Sequence, residues 1–212
     1  MEIKMFTVNP FLENTYVLYD DTREAAIVDC GCLSEHEQNE LRTFIESNKL
    51  IVKHLLNTHL HLDHQFGNYF AAQTFGVLPE AHAADANQID NIEELCSLFG
   101  LTQRVKKQPL GRTIDEHDVI AFGHVRLEIL YVPGHSAGSI CFYNRADGIV
   151  LSGDVLFHGS IGRTDLPGGN FEQLIDGIRC HLLTLPDNTQ VFCGHGPATT
   201  IGFERINNPY LQ

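Results

Sequence analysis

The segment Thr58-His59-Leu60-His61-Leu62-Asp63-His64 follows directly on an apolar run, Ile51 to Leu56, that reads as a buried strand. His59 and His61 are two apart, so an extended backbone turns both imidazoles to one side, while Asp63 and His64 continue into a helical turn. One short loop can thereby serve two adjacent cations. The spacing differs from His-Glu-x-x-His, whose imidazoles sit one helical turn apart. With twelve histidines in the chain, a single His-rich turn could be merely solvated. Recurrence carries the argument: Pro133-Gly134-His135-Ser136, Ser152-Gly153-Asp154, Gly162-Arg163-Thr164-Asp165 and Gly194-His195-Gly196 are also loops that follow strand-like runs. The glycines beside His135, Asp154 and His195 permit tight turns that a β-carbon would hinder. Such a pattern needs a fold in which the ends of well-separated strands converge. His36, His54, His82, His117, His124, His158 and His181 lack this setting and read as surface or packed histidines.

Periodicity supplies the scaffold. Residues 3 to 8, 15 to 20 and 25 to 29 are short runs rich in Ile, Val, Phe and Tyr, divided by the turn signals Asn9-Pro10 and Asp20-Asp21, and read as a meander. Ser34 is an N-cap for an amphipathic helix to Asn48, with Leu41, Phe44 and Ile45 at helical spacing. The pattern predicts helix over His64 to Phe75, a polar helical stretch over about 84 to 99, and helix over Phe171 to Leu183 after Asn170. The β pattern returns from Val119, with strands over Val125 to Val132, Ser139 to Tyr143, Gly148 to Leu151 and Gln190 to Cys193. Two β-rich halves with interspersed helices give an α/β (α+β) layered fold. Nothing resembling a linker or repeat divides the 212 residues, so one domain spanning 1–212 is expected.

Composition narrows the function. Twenty-seven acidic against 14 basic residues give a formal charge of −13, which leaves no broad positive field for nucleic acid. The first residues hold no long apolar run, so neither a signal peptide nor a membrane helix is expected, and a cytoplasmic location follows. Six cysteines are too sparse for a disulfide scaffold and read as reduced, partly buried thiols. Cys30-Gly31-Cys32 could bind metal or redox-cycle, but no second pair follows it.

The run from Thr58 to His64, together with Pro133-Gly134-His135, Ser152-Gly153-Asp154 and Gly194-His195-Gly196 in that order, resembles the metallo-β-lactamase superfamily over nearly the whole chain. The resemblance implies an αββα sandwich of two mixed sheets with helices on the outer faces. It also implies that His59, His61 and His135 hold one metal, that Asp63, His64 and His195 hold a second, and that Asp154 bridges them. Asp63 and Asp154 are thus expected to serve catalysis as well as binding. Imidazoles with carboxylates suit two transition-metal ions: zinc first, with iron or manganese also admitted.

Within that superfamily, Gly153 to Asp165 looks like the glyoxalase II group, and Leu166-Pro167-Gly168-Gly169-Asn170 and Asn207 to Leu211 look like its short hydroxyacylglutathione-hydrolase-like members. The implied reaction is attack of a hydroxide shared by two metals on a thioester carbonyl. It suits the residues because a thiol of pKa ~8.5 leaves as thiolate without a strong acid. Full-length glyoxalase II has a C-terminal helical domain with basic residues for glutathione, whereas this sequence ends 17 residues after His195, so the thiol is not fixed by the resemblance. Two alternatives stand beside hydrolysis. A persulfide dioxygenase would hold one iron on His59, His135 and Asp154, and a non-catalytic domain would use metals only to staple its fold. Arg163 is a candidate substrate clamp, against the competing reading of an internal salt bridge to Asp165 or Asp29.

Overall fold

The computed structural model describes residues 1–101 and 105–212. Its first half builds one six-stranded sheet. Strands β1 (Glu2–Val8), β2 (Glu13–Tyr19) and β3 (Glu24–Val28) form the expected antiparallel meander. The chain then crosses through α1 (Glu35–Ser47) to lay β4 (Ile51–Leu56) parallel to β3. Ser34 caps α1 through a reciprocal capping box with Glu37. After α2 (Asn68–Phe75), two very short strands, β5 (Pro79–Ala81) and β6 (Arg112–Thr113), complete the sheet, with α3 (Asn87–Asp90) and α4 (Ile92–Leu98) between them.

The second half repeats the plan. A second six-stranded sheet has the order β14-β13-β10-β9-β8-β7, formed from β7 (Val119–Phe122), β8 (Val125–Tyr131), β9 (Ile140–Asn144), β10 (Ile149–Gly153), β13 (Gln190–Cys193) and β14 (Thr199–Thr200). The hairpin of β11 (Leu156–Phe157) and β12 (Ser160–Ile161) stands apart, and α5 (Phe171–Gly177) and α6 (Ile201–Asn207) follow.

Strand alternation sorts side chains into layers. Tyr16, Leu18, Ala26 and Val28 face inward to meet Leu127, Ile129, Phe142 and Leu151 of the other sheet. Their neighbours Val17, Ala25 and Ile27 face outward onto Leu41 and Ile45 of α1. On the far side, Cys141, Tyr143 and Val150 pack under Leu174, Ile175 and Ile201 of α5 and α6. The result is helix, sheet, sheet, helix, as an αββα sandwich requires. Both faces of the central strands are covered, which explains their nearly continuous apolar sequences.

Three helices differ from the sequence expectation. The stretch His64 to Phe75 is not continuous: a single 3-10 turn, Leu62–His64, ends before α2 begins at Asn68. The break falls where Gly67 N–H donates to the Cys30 carbonyl, a contact that a β-carbon at Gly67 would obstruct. The polar stretch near 84 to 99 is three short pieces, and the stretch Phe171 to Leu183 turns from α to π at Ile178.

Candidate metal centre

Strand direction brings the ligand loops together. Since β8 and β10 each run antiparallel to β9 and β10 runs parallel to β13, the loops carrying His135, Asp154 and His195 leave the same edge of the second sheet. In the first sheet β3 and β4 are parallel, so Asp29 and the Thr58–His64 loop emerge side by side. Cross-sheet hydrogen bonds seal this edge: Ile140 N–H donates to the Thr58 carbonyl at 2.9 Å and Asn14 N–H to the Gly194 carbonyl at 2.7 Å. The approach is close enough that Gly153, at φ +50°, lies directly against the Thr58 side chain, where a β-carbon could not fit.

The seven expected ligands converge. One ligand atom from each of His59, His61 and His135 lies within 4.8 Å of the others, and the same holds for Asp63, His64 and His195. Asp154 touches both groups. Its Oδ2 is 3.5 Å from His135 Nε2 and 3.6 Å from His195 Nε2, and its Oδ1 is 3.4 Å from His64 Nε2. Asp63 Oδ2 is 3.2 Å from His195 Nε2.

Outer partners fix which nitrogen of each ring faces inward. Asp29 can only accept, so the Thr58 hydroxyl donates to it at 2.7 Å and must itself accept from His59 Nδ1–H at 3.1 Å. His135 Nδ1–H donates to the Arg163 carbonyl at 2.8 Å, and His195 Nδ1–H to the Phe11 carbonyl at 3.0 Å. His59 and His135 therefore present bare Nε2 lone pairs to one another, 3.2 Å apart. Two lone pairs in that position repel unless a cation lies between them. His64 Nε2 and Asp154 Oδ1 are likewise buried with no hydrogen-bond partner among the described residues. Facing lone pairs and orphaned donors of mixed imidazole and carboxylate type fit a pair of transition-metal ions.

Electrostatics divides the centre in two. Burial, with His64 and His61 nearby, holds His59 well below its ordinary value, and burial with His135 and His64 brings His61 down to about 3. Burial also depresses His135. On the other side burial opposes ionisation of Asp63 and Asp154, yet His64 and His195, joined at Asp154 by His135, together outweigh it and hold both carboxyls below the usual range. His64 itself is raised, because Asp154, Asp63 and Asp29 together overcome its burial. His195 is raised because Asp63 and Asp154 together overcome its burial. Protons on His64 and His195 thus supply, without metal, the positive charge that the carboxylates demand.

Two further residues bear on this centre, beyond those expected from sequence. Asp29 accepts from Thr58 N–H and Thr58 Oγ1 at 2.7 Å each, and its Oδ2 lies 3.2 Å from His64 Nδ1. It carries the same signal as the ligand loops, an acid closing the apolar run Ala25–Val28. Glu13, fully buried and raised by that burial, lies 3.9 Å from His64 Nδ1. It follows no strand, and nothing in the sequence marks it. Arg163 adopts the competing reading: its guanidinium forks onto Asp165 at 2.7 and 2.8 Å. Cys30 and Cys32 are buried, unbridged, and absent from the candidate metal clusters of the described residues. His54 is satisfied between Glu80, at 2.6 Å, and the Ala121 carbonyl, at 3.2 Å.

The centre lies in a cleft of about 460 Å³ whose walls include Phe11, Leu95, Phe99, Leu166 and Pro167. No helix of the described residues is long and apolar enough to cross a membrane.

Both the order of the ligand loops and the two-sheet architecture have counterparts in known proteins. The family model of the metallo-beta-lactamase superfamily matches residues 8–195, and the chain belongs to that superfamily. Among its relatives, hydroxyacylglutathione hydrolase GloC of Haemophilus influenzae is 37% identical, with 100% of this chain and 99% of that protein aligned. Among solved structures, the BLEG-1 B3 metallo-beta-lactamase is 33% identical, with a TM-score of 0.91 and 100% of both chains covered. TTHA1623 in a di-iron-bound form is also 33% identical, with a TM-score of 0.87, covering 98% of this chain and 100% of that one.

Proposed function

We propose that the chain is a binuclear metal-dependent hydrolase of thioesters with a small hydroxyacyl group. His59, His61 and His135 would hold one cation and Asp63, His64 and His195 the other, with Asp154 shared. Zinc is the first choice for these donors, and iron or manganese would also be accepted. Bound there, the cations supply Lewis acidity toward a water and toward the substrate carbonyl. The chain's own part is to deliver lone pairs: Thr58, Arg163 and Phe11 hold the Nδ1 protons of His59, His135 and His195, so each Nε2 stays free for a cation.

The observation that carries the choice of thioester concerns the leaving group. Among the described residues that line the cleft, the acid outside the ligand set and the cation are committed elsewhere. Asp85 accepts from Leu60 N–H, Ser136 Oγ and Gly138 N–H, and Arg163 is forked onto Asp165. Asp63 and Asp154 are held ionised. An amine leaving group would need a proton that none of these offers, whereas a thiolate leaves without one. The name of the Haemophilus relative agrees with this reading. BLEG-1, as a B3 metallo-beta-lactamase, favours β-lactam hydrolysis instead. A one-iron dioxygenase would leave the second cluster of Asp63, His64 and His195 without a task. The unbridged cysteines support a cytoplasmic location.

The test is a metal-replete preparation assayed in parallel on S-D-lactoyl thioesters, on nitrocefin and for oxygen uptake with a persulfide. Thioester turnover with two metals per chain and negligible nitrocefin cleavage is expected. Efficient nitrocefin cleavage without thioesterase activity, or a single iron with oxygen consumption, would overturn the proposal.

A further inference from the structure

The cleft has one wall that the proposed chemistry does not use. Ala84, Gln88, Asn91, Leu95 and Phe99 all line it, at spacings of four, three, four and four residues, the repeat of one helical face. This face runs across α3 and α4 and ends where Phe99 meets Phe11 edge-on at 5.9 Å. Asn87 also lines the cleft. The side-chain amides of Asn87, Gln88 and Asn91 make no hydrogen bond to another described residue, so donors and acceptors stand free along an otherwise apolar trough. Its lining contains one cation among the described residues, Arg163, already paired with Asp165. The chain as a whole is strongly acidic.

We infer that the trough is a specificity subsite for a thiol arm bearing neutral amides and apolar surface, of the pantetheine type, rather than for a thiol carrying free carboxylates. This rests on the thioesterase reading above. An acyl carbonyl at the metal ligands leaves the thiol arm to follow the α3–α4 face, where peptide-like groups meet Gln88 and Asn91 and methylenes meet Leu95 and Phe99. Glutathione also has amides, but it adds charged termini for which the described lining offers no free counter-charge. Desolvating those charges without partners costs affinity.

The experiment compares one acyl group carried on pantetheine, on coenzyme A and on glutathione, with the metal-replete full chain. The pantetheine thioester should exceed the glutathione thioester in kcat/KM by about tenfold or more. Coenzyme A matching pantetheine would identify a coenzyme A thioester as the source of the arm, and a lower rate a smaller thiol of the same kind. The double variant Gln88→Leu/Asn91→Leu should raise KM for the pantetheine thioester by about tenfold, from two lost hydrogen bonds, with kcat nearly unchanged. Preference for glutathione, or a variant that alters kcat alone, would overturn the subsite while leaving the thioesterase reading intact. Failure of every thioester would overturn both.

Discussion

Thr58 ties Asp29 to the metal centre through one hydroxyl, and Thr58→Val removes that hydroxyl while keeping the shape. The side chain is buried, donates to Asp29 at 2.7 Å and accepts from His59 Nδ1–H at 3.1 Å. A hydrogen bond to a charged group is worth about 1.5–3 kcal/mol, and an orphaned buried N–H costs about 1–3 kcal/mol. Asp29 retains the Thr58 backbone N–H, so the total falls toward the lower part of the range, about 3 kcal/mol. For a chain of this size the metal-free melting temperature should fall by roughly 6–12 °C. The second consequence is selective. With no acceptor at Nδ1, the His59 ring can move its proton to Nε2, and affinity at the His59–His61–His135 cluster should drop roughly 10–100-fold. The cluster of Asp63, His64 and His195 depends on Asp29 and the Phe11 carbonyl and should weaken far less. Cobalt titration followed by paramagnetically shifted histidine N–H signals would resolve the two clusters. Equal weakening of both, or an unchanged first cluster, would refute the tautomer argument.

Asp154→Ala removes the carboxylate that touches both clusters, so turnover should fall by several orders of magnitude with loss of bound metal, while circular dichroism shows the fold retained. Near-wild-type turnover would exclude a shared carboxylate. His61 is held at about 3 by burial first and by His135 and His64 next. A depressed histidine leaves stability intact above its unfolded value of about 6.5 and takes it away as pH falls toward the folded value. The metal-free protein should therefore lose melting temperature as pH falls from 6.5 toward 3, and His61→Asn should flatten that decline. An unchanged slope in scanning calorimetry would contradict it.

The centre was more legible than the fold around it. His59, His61, Asp63, His64, His135, Asp154 and His195 each lie in a loop that follows a strand rich in apolar residues, and strands with abrupt polar ends leave a strong mark. The short edge strands β5, β6 and β14 left none, because two or three residues carry no period. The missing turn between His64 and α2 has a non-local cause: the Asn57 side chain donates to the His64 carbonyl while the Asn68 side chain donates to Asn57. Helical periodicity in residues 64 to 75 could not reveal a partner in the loop after β4. Glu13 was silent for the same reason, since its importance lies in its distance from His64 and not in any neighbour in sequence.

Each ligand cluster draws its members from both halves of the chain, with His59 and His61 facing His135, and Asp63 and His64 facing His195. A cation in either one would be a cross-link closing a long loop; His59 and His135 alone are 76 positions apart. Unfolding of the loaded chain then releases the metal, and the melting point tracks the free metal concentration by mass action. Metal scarcity would accordingly reduce the amount of folded chain, and neither half expressed alone could assemble a complete cluster.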